Sequence, residues 1–231
     1  MTGKHGLIVA IDGLAGSGKS TTAQLVAKRL GYMHIDTGAM YRAVALKMLR
    51  SGVEITDTQG IDELLRHTEV SEREVDGQTF VLLDGEDVTN EIRTPEISLW
   101  VGPVSEHGLV REHLVQWQRN LGRSGGVVLE GRDIGTVVFP NADIKVYMVA
   151  DLKTRAKRRR KEMLARGIDQ SPIDVESALA TRDLRDSTRE HSPLRKATDA
   201  IEIDTSELTI GDQVDRVVEL VKKAEQSGVH R

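Results

Sequence analysis

Leu7-Ile8-Val9-Ala10-Ile11-Asp12-Gly13-Leu14-Ala15-Gly16-Ser17-Gly18-Lys19-Ser20 passes from an apolar run into a glycine-rich turn. The apolar run reads as a buried strand, and the residues after the turn read as a helix carrying Leu25, Val26 and Leu30 that stops at Gly31. Gly13 to Ser20 satisfies G-x-x-x-x-G-K-[ST] in full. A chance match in a chain of this length has a probability of roughly one per cent, and the flanking strand and helix lower it further. Glycines let successive backbone N–H groups converge on phosphate oxygens, and the helix N-terminus adds partial positive charge. Gly13, Leu14, Ala15, Gly16, Ser17, Gly18, Lys19, Ser20 and Thr21 are therefore the expected triphosphate-binding residues. Lys19 is expected to reach the β- and γ-phosphates, and the Ser20 hydroxyl to coordinate Mg²⁺.

Working outward, a second short strand is expected to end near Asp36, with a helix from about Gly38. Apolar runs at Val127–Leu129, Ile144–Val149 and Ala200–Ile203 alternate with helical stretches. Strands alternating with helices point to an α/β fold with a parallel sheet covered on both faces. Residues 68–88 break the rhythm. Asp76-Gly77 and Asp84-Gly85 punctuate short runs such as Thr79–Leu83, which signals a small antiparallel insert. Lys153–Arg166 is a helical stretch dense in basic residues. The last part of the chain suits an amphipathic helix, with Thr209 as N-cap and Val214, Val217, Val218 and Val221 on its apolar side.

The 231 residues suffice for a large domain with inserts, and the 39% hydrophobic and 29% charged shares describe an ordinary globular protein. A net charge of −4 argues against a general nucleic-acid binder. With no cysteine there is no disulfide, thiolate metal site or cysteine nucleophile. The apolar run at Leu7–Ile11 is too short for a signal-peptide core or a membrane span, so no membrane partner and a cytoplasmic location are expected. No exposed apolar seam stands out, and a monomer is expected. The seven histidines show no metal-binding spacing, and none is assigned to zinc.

A phosphate loop alone says only nucleoside triphosphate. A GTPase would add N-K-x-D, which is absent, and the D-x-x-G at Asp57–Gly60 has no apolar strand before it. Arginines mark the second substrate: Arg42, Arg111, Arg132, Arg182, Arg185 and Arg189 lie in separate segments, beside the basic stretch Arg155–Arg166. A kinase acting on an already phosphorylated acceptor brings two polyanions together, and arginine's planar fork suits their oxygens. Arg155, Arg158 and Arg159 share one helical face and are expected to close over the phosphates as a lid that excludes water. Glu130, at a strand end, has two open readings: holding the metal through water, or a structural role.

Longer segments carry a resemblance. Asp36-Thr37-Gly38-Ala39-Met40-Tyr41-Arg42 resembles the D-[ST]-G-A-x-Y-R segment of bacterial cytidylate (CMP) kinases. Gly131-Arg132-Asp133-Ile134-Gly135-Thr136-Val137-Val138-Phe139-Pro140 resembles their G-R-D-x-G-T-V-V-F-P signature. Gly85–Val88 with Glu91–Thr94 is similar to the family's insert, and Arg182–Arg189 to its R-D-x-x-D-x-x-R run. The likeness implies the nucleoside monophosphate kinase fold: a five-stranded parallel sheet flanked by helices, a monophosphate-binding domain with the antiparallel insert, and a helical lid. On that basis residues 1–36, 101–152 and 168–231 form the core. Residues 37–100 form the monophosphate-binding domain with its insert at about 68–88, and residues 153–167 the lid.

The resemblance also implies roles. ATP occupies the phosphate loop with Mg²⁺, and CMP or dCMP is the acceptor. Arg42, Arg132 and Arg189 match residues that hold the CMP phosphate. Arg182 and Asp186 match those at the ribose, with Thr37 nearby, and Tyr41 belongs to the same acceptor-binding set. Arg111 and Asp133 match the cytosine readers. A carboxylate accepts from the cytosine amino group and an arginine donates to N3 and O2, whereas uracil would set its O4 against the carboxylate. One position departs: Gly102 stands where a serine is expected near the pyrimidine, so that hydroxyl is missing or comes from Ser105. The expected chemistry is in-line transfer with Lys19, Arg132, Arg189, Arg158 and Arg159 as the catalytic set and no general base. The alternatives are a small kinase acting on UMP, dTMP or a non-nucleotide alcohol, or a nucleotide-dependent switch or RNA-binding protein with slow or no transfer.

Overall fold

A computed structural model describes residues 6–75 and 78–227. β1 (Ile8–Gly13) is followed by α1 (Lys19–Leu30), β2 (Met33–Asp36), α2 (Thr37–Ser51) and α3 (Thr58–Arg66). Then come β3 (Val70–Val75), β4 (Gln78–Leu83), β5 (Glu86–Asp87), α4 (Pro95–Glu106) and α5 (Gly108–Gly122). β6 (Val127–Gly131), β7 (Ile144–Val149), α6 (Leu152–Leu164), α7 (Pro172–Thr188), β8 (Ile201–Asp204) and α8 (Ile210–Gln226) complete the order. The chain forms two compact units, Met1–Ile35 with Gly122–Arg231, and Asp36–Leu121.

The first unit holds a five-stranded sheet in the order β2-β6-β1-β7-β8. β1 pairs in parallel with β6 (Ala10 opposite Leu129) and with β7 (Ala10 opposite Lys145). It is thus central, and its residues Val9 and Ile11 are fully buried, as an uninterrupted apolar strand requires. On one side of the sheet Ala23, Val26 and Ala27 of α1 meet Val214, Val217, Val218 and Val221 of α8 over Val128, Val146 and Met148. The expected apolar side of the last helix is the buried one, and Thr209 caps it in a reciprocal capping box with Asp212. Leu25 faces outward, because the helical period puts residues 22, 23, 26 and 27 on the inner stripe. Gly31 ends α1 in the left-handed conformation, with φ 68°.

In the second unit, β3, β4 and β5 form an antiparallel sheet in that order. Asp84 and Gly85 make the tight turn between β4 and β5, both with positive φ. The other expected turn, Asp76-Gly77, lies outside the described residues. α2 begins one residue before Gly38, at Thr37, because the Asp36 carboxylate accepts the Ala39 N–H. The expected boundary at residues 100 and 101 falls inside α4, which packs on α2 and buries Ile97, Val101 and Val104. Residues 101–121 are therefore continuous with the second unit. Among the described residues no helix is long and apolar enough to cross a membrane.

Candidate active site

Sequence and backbone meet most directly in the phosphate loop. Helices α2, α3, α4, α6, α7 and α8 each begin at an Asp, Ser or Thr whose side chain accepts a first-turn N–H. α1 begins at Gly18, which has φ 92° and no side-chain cap. Its first-turn donors are left for an anion. A Cβ on Gly13 would lie 2.2 Å from the Met148 carbonyl oxygen, and one on Gly18 would lie 2.8 Å from Gln213 Oε1. Buried Gln213 accepts from the Thr22 hydroxyl at 2.8 Å, tying α8 to the first turns of α1.

Buried Lys19 lies with Nζ 3.5 Å from the Leu14 carbonyl. Next to it the Ser20 hydroxyl donates to Glu130 Oε2 at 2.6 Å. Burial pushes the Glu130 pKa up, but His34, the Lys19 charge and the Ser20 hydroxyl together outweigh it and hold the carboxyl below the usual glutamate range. His34 Nε2 stands 3.7 Å from Glu130 Oε1, too far for a direct hydrogen bond and within ion-pair reach when the imidazole is protonated. Nothing in the sequence singled out His34, and this contact is set by the neighbouring strands β2 and β6. A serine hydroxyl and a carboxylate side by side are hard oxygen donors, and Mg²⁺ commonly takes one or two protein ligands beside phosphates and water. The residues fit that ion.

A second set gathers after β6 and along α7. Arg132 Nε donates to Asp186 Oδ2 at 2.9 Å, and Arg182 and Arg185 approach the same carboxylate at 3.8 and 3.9 Å. Burial pushes the Asp186 pKa up, but Arg132, Arg182 and Arg185 outweigh it and leave the carboxyl below its ordinary value. Arg189 Nη2 lies 3.7 Å from Asp133 Oδ1, and its Nε donates to the Ser192 carbonyl at 2.7 Å. Arg132 and Asp133, just after β6, and Arg182, Asp186 and Arg189, along and just past α7, form one cluster in the first unit. Asp12, at the end of β1, reaches the same segment: its carboxylate accepts the N–H groups of Ile134 and Gly135. Burial pushes Asp12 up to about 6, with those two N–H groups acting in the opposite direction.

The basic helix departs from the sequence reading. Arg155 is only 5% exposed and fully engaged. Its Nε donates to the Ala150 carbonyl at 3.0 Å, and its Nη1 to the Ala15 carbonyl at 3.3 Å and to Asp183 at 2.6 Å. It is a strut joining the phosphate loop, the end of β7 and α7, not a group facing outward to close over phosphates. Ala15, Ala156, Val175 and Leu179 pack together in a small apolar cluster, seating α6 and α7 on the loop. Arg158 donates to the Thr205 carbonyl at 2.6 Å and to the Ser17 carbonyl at 3.4 Å. Arg159 points elsewhere and pairs with Glu162 at 3.2 Å. Three arginines on one helical face thus have three different environments. Thr205, which the sequence gave no reason to notice, closes the network by donating to the Ser17 carbonyl.

In the second unit Thr37, Tyr41 and Arg111 are buried. Arg111 lies over the Tyr41 ring at 5.7 Å and donates to the Ser105 carbonyl at 3.2 Å. Arg42 donates to the Ile92 carbonyl and to the Ser98 hydroxyl. The Ser105 hydroxyl, a candidate replacement at the departing position, donates instead to the carbonyl of Gly102 itself at 2.8 Å.

A model of the cytidylate kinase family matches residues 9–223. The chain belongs to the cytidylate kinase family. It is 47% identical over 221 residues to the cytidylate kinase of Caldicellulosiruptor bescii, covering 96% of this chain and 98% of that protein. Against the cytidylate kinase of Geobacter sulfurreducens the identity is 46% over 225 residues, with 97% of each chain covered. The crystal structure of an uncharacterized protein from Eubacterium ventriosum superposes with a TM-score of 0.50 at 15% identity, covering 94% of this chain and 98% of that one. That likeness concerns the fold alone. Family membership spans both units and both the loop and arginine-rich signatures quoted above.

Proposed function

We propose that the enzyme transfers the γ-phosphoryl group of MgATP to a phosphate oxygen of CMP or dCMP, giving ADP and CDP or dCDP. The observation that carries this reading is the cluster of Arg132, Arg182, Arg185 and Arg189 with Asp133 and Asp186, tied to the strand that bears the phosphate loop. Such a concentration of fixed cations suits an acceptor that already carries a phosphate. That phosphate is ionised at neutral pH, so its oxygen attacks without a general base, and the work left to the protein is positioning and charge stabilisation.

Lys19 and the uncapped α1 N-terminus bind the donor phosphates, and the Ser20 hydroxyl with Glu130 behind it would hold the magnesium. When bound, Mg²⁺ neutralises charge on the β- and γ-phosphate oxygens. Arg132, Arg189 and Arg42 take the acceptor phosphate. Arg182 and Asp186 take the ribose hydroxyls with Thr37 and Tyr41, and Asp133 and Arg111 read the base. Of the basic-helix arginines, Arg158 and Arg159 remain assigned to the transferred group, within a lid that includes residues 153–167. The acting species is taken to be a cytoplasmic monomer, which light scattering on the purified protein would test for mass.

Coupled measurement of ADP release with MgATP and CMP, dCMP, UMP, AMP or dTMP offered separately tests the reading. CMP and dCMP should be the strongest acceptors, with turnover lost on Asp133→Ala and Arg189→Ala. A specific observation favours looking at UMP closely: Gly102 brings no hydroxyl, and Ser105 uses its own on the Gly102 carbonyl. Equal use of UMP would overturn the base-reading assignment. Absence of any acceptor-dependent turnover would overturn the kinase reading and favour a nucleotide-dependent switch.

A further inference from the structure

Asp12 stands immediately before the first residue of the phosphate loop and is 5% exposed. Both of its oxygens are committed. Oδ1 accepts the Ile134 N–H at 2.8 Å and Oδ2 the Gly135 N–H at 2.8 Å, across 122 and 123 residues of sequence. These two amides directly follow Arg132 and Asp133 and open the turn Ile134–Val138. The residue at the head of that turn, Asp133, makes no side-chain capping bond to it. Asp12 thus supplies from a different strand the cap that the turn does not provide for itself.

We propose that Asp12 is a positioning residue for the acceptor: by holding both amides it fixes the Arg132–Asp133 segment against the start of the phosphate loop, so that donor and acceptor oxygens meet in one geometry. The inference rests on the reading of Arg132 and Asp133 as acceptor-binding. Sheet stability alone does not call for this carboxylate, because Asp12 and Gly131 are already paired in register by the β1–β6 ladder. Burying a carboxylate is costly unless its charge is met, and here two backbone donors meet it. A carboxylate is also the side chain of this length that accepts two N–H groups at once. Asparagine would accept one and turn its NH₂ toward the other. Gly135 fits the arrangement, since a Cβ there would come to 3.2 Å from Lys145 Cδ and 3.4 Å from Asp12 Oδ2.

The test is steady-state kinetics of Asp12→Asn, Gly135→Ala and Asp133→Asn, with CMP and MgATP varied in turn. Small displacements of a binding group weaken the reaction steeply, so Asp12→Asn should raise KM for CMP roughly tenfold or more and leave KM for ATP within about twofold. Gly135→Ala presses on two buried side chains held by hydrogen bonds, Lys145 and Asp12, and should raise KM for CMP by about two- to threefold, again without moving KM for ATP. An Asp12→Asn enzyme whose KM for CMP is unchanged, or whose two KM values rise together, overturns the proposal, since a merely structural carboxylate would act on both substrates alike. Should Asp12→Asn fail to fold, Gly135→Ala decides: an unchanged KM for CMP overturns the proposal and a selective rise supports it. Asp133→Asn separates the two levels. If it leaves KM for CMP unaltered, the acceptor reading fails and takes the proposal with it. If it raises that KM while Asp12→Asn does not, only the positioning role fails.

Discussion

The phosphate loop and the basic helix α6 both read from sequence as phosphate-binding, yet they are built on opposite principles. In the loop the binding groups are backbone N–H donors, and the glycines that shape it carry their conformation with them wherever the chain goes. Gly16 and Gly18 have positive φ, and α1 opens without a side-chain cap, so the backbone features behind this reading lie in one short segment. In α6 the binding groups are long side chains, and each arginine goes to whatever partner the fold sets within reach. Arg155 meets two carbonyls and Asp183, Arg158 meets Thr205 and Ser17, and Arg159 meets Glu162. Helical periodicity predicts which side chains share a face. It does not predict which of them are already used.

Four experiments would break or sharpen that contrast. Lys19→Met should lower kcat on the order of 10²–10³-fold with little change in thermal unfolding, because it removes a charge that acts on the transferred group. Unaltered turnover would detach the loop from catalysis. Arg155→Met should lower stability by about 3–5 kcal/mol, since it leaves Asp183 partly buried without its cation. At about 2–4 °C of Tm per kcal/mol in a chain of this size, the loss is easily seen by calorimetry. If kcat falls while Tm stays put, Arg155 is a phosphate ligand after all and the strut assignment is wrong.

Arg159→Ala should leave stability within about 0.5 kcal/mol, its pair with Glu162 being a surface contact. A drop in kcat without a change in Tm would keep it in the catalytic set, and unchanged kinetics would remove it. The smallest effect concerns acid. The Asp186 carboxyl lies below its ordinary value, so the stability it contributes is present above the unfolded value of 3.8 and is lost as pH falls through the lower folded value. The difference in unfolding free energy between the wild type and Asp186→Asn should therefore be constant near neutrality and shrink below about pH 4. A difference independent of pH across that range would mean that the arginines do not stabilise the ionised form.

Much of the fold was legible because its signals are local. The buried strand β1, the glycine that ends α1, the Asp84-Gly85 turn and the valine stripe of α8 each follow from residue types at fixed spacing. The extent of the second unit was less so. The family resemblance placed a break at residues 100 and 101, but α4 packs on α2 and the unit runs on through α5 to Leu121.

The sequence by itself pointed to nucleoside triphosphate binding through Gly13–Ser20, and its longer signatures to the cytidylate kinase family, to which the chain belongs. Both are properties of short segments whose geometry or identity survives translation along the chain. Only the tertiary structure decided that Asp12 holds the Ile134 and Gly135 amides, that Glu130 lies between Ser20 and His34, and that Arg155 is a strut. Those facts are encounters between residues far apart in the chain. A buried polar side chain takes its role from the groups it meets, because desolvation makes each partner's presence or absence matter more than the residue's own type.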